Sequence, residues 1–110
     1  MVTASRADCG PIVARSAESP YVRAVKRAFA DALVAEIHRA GVGRREAAQA
    51  GHVSRTYLQF LLAAERHATI GTLILLAEGL GMRPEQLLGK TMENLSRIRA
   101  STHPPVDSPP

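Results

Sequence analysis

The residues able to do chemistry are few, and their spacing turns away from catalysis. His38, His52, His67 and His103 are scattered through the 110-residue chain. None has a cysteine or carboxylate partner at the short spacing of a metal site. Ser54 follows His52 by two residues, but a nucleophile needs a base and an orienting carboxylate gathered in space, and a serine that caps a helix needs neither. No glycine-rich phosphate loop follows a strand, because no segment alternates long enough to be a strand. Catalytic, cofactor-binding and metal-binding residues are therefore not expected, and the chain is not expected to be an enzyme. The single cysteine, Cys9, cannot form an intrachain disulfide, which suits a reducing compartment. Its redox reactivity would need an electropositive site, so it is read as an ordinary thiol in a terminal arm. What remains is cationic: Arg44, Arg45, Arg55 and Arg66 lie within or beside residues 44–65, against Glu46 and Glu65. Guanidinium groups so gathered suit phosphates. The formal charge of +4 and the sequence pI of about 10.0 point to an anionic partner too, although many soluble proteins reach that charge.

The elements that must hold these arginines are short helices. Glu46, Ala47, Ala48 and Ala50 are good helix formers with small side chains, so a second helix can cross close by. The pattern breaks at Gly51–His52, and Ser54 then stands as an N-cap. Tyr57, Leu58, Leu61 and Leu62 recur at three and four residues, the period of a helix with one buried face. Two helices joined by so tight a turn form the unit that places a second helix in the DNA major groove.

Around this pair the chain reads as one all-α domain with tails. Hydrophobic residues make up 45% and aromatics 4%, which suits closely packed small helices. Ser19 and Pro20 open a long first helix, with Val22, Val25, Phe29, Leu33 and Ile37 on one stripe, and Gly41 stops it. Its other face carries Arg23, Lys26, Arg27 and Asp31, read as a solvated face, with phosphate or partner contact as the alternative. Thr69 caps a fourth helix, which runs to Leu80 and is apolar nearly all round, so it should be central or covered by another subunit. From Pro84 to Ala100, Leu87, Leu88, Met92, Leu95 and Ile98 form a stripe, with Gly89 as a kink or a cap. Residues 1–18 read as a flexible arm and 101–110, with four prolines, as a disordered tail. The working domain spans 19–100, with its core at 29–88 and a C-terminal helical extension at 89–100. No run reaches 18 apolar residues, so neither a membrane span nor membrane binding is expected, and a cytoplasmic location is.

From about Phe29 to Leu88 the sequence resembles the lambda repressor/Cro class of helix-turn-helix domains, also called the xenobiotic-response-element (XRE) family. The matching residues are Ala48, Val53-Ser54-Arg55, Tyr57-Leu58, Leu61, Thr72-Leu73, Leu76-Ala77-Glu78, Leu80-Gly81 and Pro84-Glu85-Gln86-Leu87-Leu88. The resemblance implies a five-helix domain, here with an extended first helix and a C-terminal helical extension. Three positions depart from the family pattern. The turn glycine falls one place early, at Gly51, leaving His52 to adopt a left-handed conformation, which histidine tolerates better than most. Arg44 replaces a phosphate-holding glutamine and adds charge. Ile37 and Leu62 occupy positions where the family often has an arginine–glutamate pair, so a buried hydrophobic contact is expected in its place.

The resemblance also implies the roles. Arg55, Thr56 and Gln59 match positions facing base edges, and their chemistry fits guanine, the thymine methyl and adenine. Phe60 beside them touches thymine methyls or covers the core edge. Arg44, Arg45, Ser54, Arg66 and the amide end of the fourth helix at Thr69 would grip phosphates. The expected function is sequence-specific binding of a double-stranded DNA operator by a transcriptional regulator, a repressor acting as a homodimer through Leu88, Met92, Leu95 and Ile98. The alternative is a protein-interaction module, such as an antitoxin or partner-binding regulator, working through its apolar late helices.

Overall fold

The computed structural model describes residues 18–102, which form five helices. The arm and tail expectations, and Cys9 with them, lie outside the described residues apart from the edges. At those edges Glu18 is held by an ion pair to Lys26 at 2.5 Å, and the last helix continues two residues past Ala100.

Local chemistry sets the helix limits. Helix α1 (Pro20–Ala40) starts where Ser19 Oγ accepts the Val22 N–H, with Pro20 in the first turn. It ends at Gly41, whose φ of 72° lets its N–H reach the carbonyls of Ile37 and His38. Helix α2 (Arg44–Ala50) begins after Gly43, which has no capping side chain; Glu46 turns back instead and accepts the Gly43 N–H at 2.9 Å. Helix α3 (Arg55–Leu62) is capped by Ser54 and helix α4 (Ile70–Gly79) by Thr69, each side-chain oxygen accepting the N–H three residues on. Helix α5 (Pro84–Thr102) is continuous. Gly89 is therefore not a cap dividing two helices, and an interior glycine costs a long helix only about 1 kcal/mol.

One core joins all five helices. Leu33 of α1, Leu58 and Leu61 of α3, Leu76 of α4 and Leu87 of α5 are fully enclosed, with Ala47 and Ala48 of α2 between them. Each enclosed leucine contributes roughly 1.5 to 3 kcal/mol. Ile37 and Leu62 are both buried in the same cluster, so the family's ion-pair positions hold an apolar contact layer.

The turn between α2 and α3 divides the work of one glycine between two residues. His52 takes the left-handed conformation at φ 58°. Gly51 has an ordinary φ of −91°, but a Cβ there would sit 2.8 Å from Leu76 Cγ. The glycine is needed for space and not for its dihedral. Gly79 makes the reciprocal approach: its Cβ would stand 2.5 Å from Ala50 Cβ and 2.8 Å from Ala50 O. Helices α2 and α4 thus touch backbone to backbone.

Helices α1 and α5 lie antiparallel. Asn94 Nδ2 donates to Ala28 O at 3.1 Å, Lys90 lies 3.6 Å from Glu36, and the Arg99 guanidinium sits over the Tyr21 ring at 5.0 Å. This packing corrects the reading of the α5 stripe. Leu95 is 4% exposed and belongs to the chain's own core, and Ile98 is half-buried, whereas Leu88 and Met92 remain 49% and 52% exposed. Spacings of three and four wander across two faces of a helix, and α1 covers only one. The fourth helix is likewise not central: Leu76 and Ala77 are buried, but Ile70, Ile74 and Leu75 face outward.

Glu36 is the buried charge that the sequence did not announce. Its side chain, 4% exposed, is held by Arg39 Nε at 2.5 Å and by Lys90 of α5. The pairing satisfies a carboxylate that would otherwise be costly to bury.

Candidate nucleic-acid interface

Helix α3 buries Leu58, Leu61 and Leu62 and leaves Arg55, Thr56 and Gln59 exposed. Helical periodicity puts these three polar residues on one outward face. The tight turn brings the start of α2 beside them, so Arg44 and Arg45 join Arg55, Thr56 and Gln59 around one cleft of about 230 Å³. Arg44 and Gln59 also line the next cleft, with Phe60, Ala63 and Glu65. Three guanidinium groups therefore surround an amide and a hydroxyl, a donor-rich set matched to base edges and phosphates.

The remaining phosphate candidates flank this face. Ser54 Oγ is an acceptor in the cap, which leaves its hydroxyl hydrogen to donate outward. Thr69 caps α4 on the far side of the α3–α4 connection, and its hydroxyl donates to Thr72 Oγ1 at 3.0 Å, so the α4 amides are the donors there. Arg66 is not loose: its guanidinium stacks on Phe60 at 4.7 Å from the ring centre. Phe60 is half-buried and so serves as a platform that holds Arg66 at the end of α3. Tyr57, read from the sequence only as a core position, donates its hydroxyl to His67 O at 3.0 Å. That bond ties α3 to the connection carrying Arg66. An aromatic three residues into a capped helix, ten residues before the carbonyl it binds, carries no local signal of the contact.

Residues 39–87 match the helix-turn-helix family. The chain carries a helix-turn-helix domain of the lambda repressor/Cro type. The five-helix arrangement is also similar to the crystal structure of the clp gene regulator ClgR from Corynebacterium glutamicum, with a TM-score of 0.58 and 26% sequence identity, covering 73% of this chain and 95% of that one. No curated protein matches the sequence. In the helix-turn-helix domain α2 and α3 are the paired helices, and α3 holds the position of the recognition helix of that motif. The domain is of a DNA-binding type. Among the described residues no helix is long and apolar enough to cross a membrane, and no group of three or more metal-ligating side chains comes together.

Proposed function

We propose that the protein is a cytoplasmic transcriptional regulator that binds a double-stranded operator sequence-specifically, as a dimeric repressor. One observation carries the reading: Arg55, Thr56 and Gln59 of the recognition helix share an exposed cleft with Arg44 and Arg45. Arg55 pairs with guanine, Gln59 with adenine, and the Thr56 methyl meets thymine. Phe60 closes the edge of that face and steadies Arg66. Arg44, Arg45, Ser54, Arg66 and the α4 amides at Thr69 hold phosphates and set the register. The likeness to the clp gene regulator ClgR supports a role in transcription.

Dimerisation is supported by the apolar surface that the monomer leaves open on α5, at Leu88 and Met92. Leu95 is already spent on the core, and Ile98 is half-covered, so the contact centres on Leu88 and Met92. A two-fold pair would require an inverted-repeat operator with half-sites about 10 bp apart. Exposed Ile70, at 74%, with Ile74 and Leu75 on α4, favours a second reading, a surface for a protein partner.

Fluorescence titration with the DNA upstream of the protein's own gene tests the proposal. Arg44→Ala should weaken operator and random DNA alike and lower the salt slope by about one unit. Arg55→Ala should cost about 1 to 3 kcal/mol at one base position only. Equal binding of Arg55→Ala to every operator variant would remove the base-reading assignment. A monomeric mass by light scattering at tens of micromolar would remove the dimer.

A further inference from the structure

A large cleft lies away from the recognition face. It holds about 550 Å³ between the start of α1, the end of α5 and Ala64, with Tyr21, Ala24 and Ile98 as walls and Arg23, Arg27 and Arg99 among its lining. Because α1 and α5 run antiparallel, the first turns of one and the last of the other extend together. Residues 18–27 and 95–102 contain five cations and one carboxylate.

Two features join this end to the recognition face. Ala64 takes a left-handed φ of 63° directly after the recognition helix, so the chain bends sharply there. Its neighbour Ala63 lines the cleft that contains Arg44 and Gln59, while Ala64 lines the cleft of Arg23 and Arg27. The clefts thus follow one another round the C-terminal end of the recognition helix, with arginines at both ends. Arg23 and Arg27 are held only lightly. Arg27 meets Asp31 at 3.6 Å with both side chains about half exposed, a pairing worth well under about 1 kcal/mol. Arg23 donates to the Glu18 carbonyl. Both can exchange these partners for a phosphate oxygen.

We propose that the α1–α5 end is a second phosphate-binding surface, which grips the DNA backbone flanking the half-site read by the recognition helix. The proposal rests on the DNA-binding reading above. It accounts for the extra length of α1, which carries two arginines past the end of the helix-turn-helix unit, where a flanking strand continues. The apolar wall at Tyr21 and Ile98 suits sugar edges, which need no hydrogen bonds.

The test uses the full chain and two duplexes taken from the DNA upstream of its gene, one about 12 bp long and centred on a half-site, the other extended by about 8 bp on each side. Anisotropy titrations across salt compare the unaltered protein, Arg27→Ala, Arg23→Ala and a charge-matched control, Arg83→Ala, at the exposed turn before α5. On the long duplex, Arg27→Ala and Arg23→Ala should each lower the salt slope by about 0.9. On the short one they should match the unaltered protein. Thermal melts confirm that the variants fold. Equal losses on both duplexes, or losses no larger than those of Arg83→Ala, would overturn the flanking contact while leaving DNA binding intact. If the unaltered protein bound neither duplex, the DNA-binding reading would fall and this surface with it.

Discussion

Two glycines inside helices should respond to alanine with opposite signs. Gly89 lies inside α5 and Gly79 is the last residue of α4, and helix propensity alone would favour alanine by about 1 kcal/mol at Gly89 and by up to that amount at Gly79. At Gly89 a Cβ meets nothing within 4 Å, so Gly89→Ala should raise stability by close to that amount. At Gly79 the Cβ would fall 2.5 Å from Ala50 Cβ, 2.8 Å from Ala50 O and 2.9 Å from Ala50 C. Two of these three atoms are backbone and cannot rotate away. Relief needs α2 and α4 to part by about 1 Å, and forced overpacking of this kind costs about 1 to 3 kcal/mol or more. Because two of the atoms are backbone the upper part of that range applies, and with the propensity gain subtracted Gly79→Ala should lose about 1 to 2 kcal/mol. For a domain of this size that lowers Tm by roughly 5 to 15 °C, read by circular dichroism at 222 nm. Ala50→Gly in the same chain should restore only part, since the carbonyl contact remains. Separating α2 from α4 also shifts Arg44 and Arg45 against the recognition helix, so DNA affinity should fall in the folded variant. A Gly79→Ala protein that melts at or above the parent temperature would refute the backbone approach.

Three further outcomes follow from the buried groups and the α5 start. Leu62→Glu should cost about 2 to 4 kcal/mol, as a carboxylate forced into the core layer beside Ile37, and adding Ile37→Arg should recover much of it; unchanged urea midpoints would show that the two positions do not share a layer. Removing both cations that hold buried Glu36, by Arg39→Ala with Lys90→Ala, should destabilise by more than the sum of the single changes, because either cation alone still pairs the carboxylate; additive losses in urea would contradict the shared pairing. The Glu85 carboxyl is held below its ordinary value of 4.5 by its own backbone N–H first and by Arg83 second. A depressed folded pKa gives stability that is present above 4.5 and lost as the pH falls through the folded pKa. Glu85→Gln should flatten that acid-side decline in Tm, and an identical decline in the variant would remove the assignment.

Local chemistry was legible in the residues alone. Ser19, Ser54 and Thr69 accept the amides three positions on, Gly41 turns left-handed, and the apolar periods of α1 and α3 fall inward, because each depends on neighbours within a turn or two of chain. That Arg44 and Arg55 would line one cleft was legible for the same reason, since a seven-residue helix, a tight turn and an eight-residue helix leave little freedom in how they meet. The tertiary structure decided what depends on distant partners. Gly51 looked misplaced for a turn until Leu76 occupied the space of its Cβ. Glu36 looked like any helix carboxylate until α5 brought Lys90 against it. Leu88, Met92, Leu95 and Ile98 formed one stripe in the sequence, and the position of α1 divided it into a buried side and an open one. A helical period states which residues share a face, but only the element packed against it sets which part of that face is removed from water.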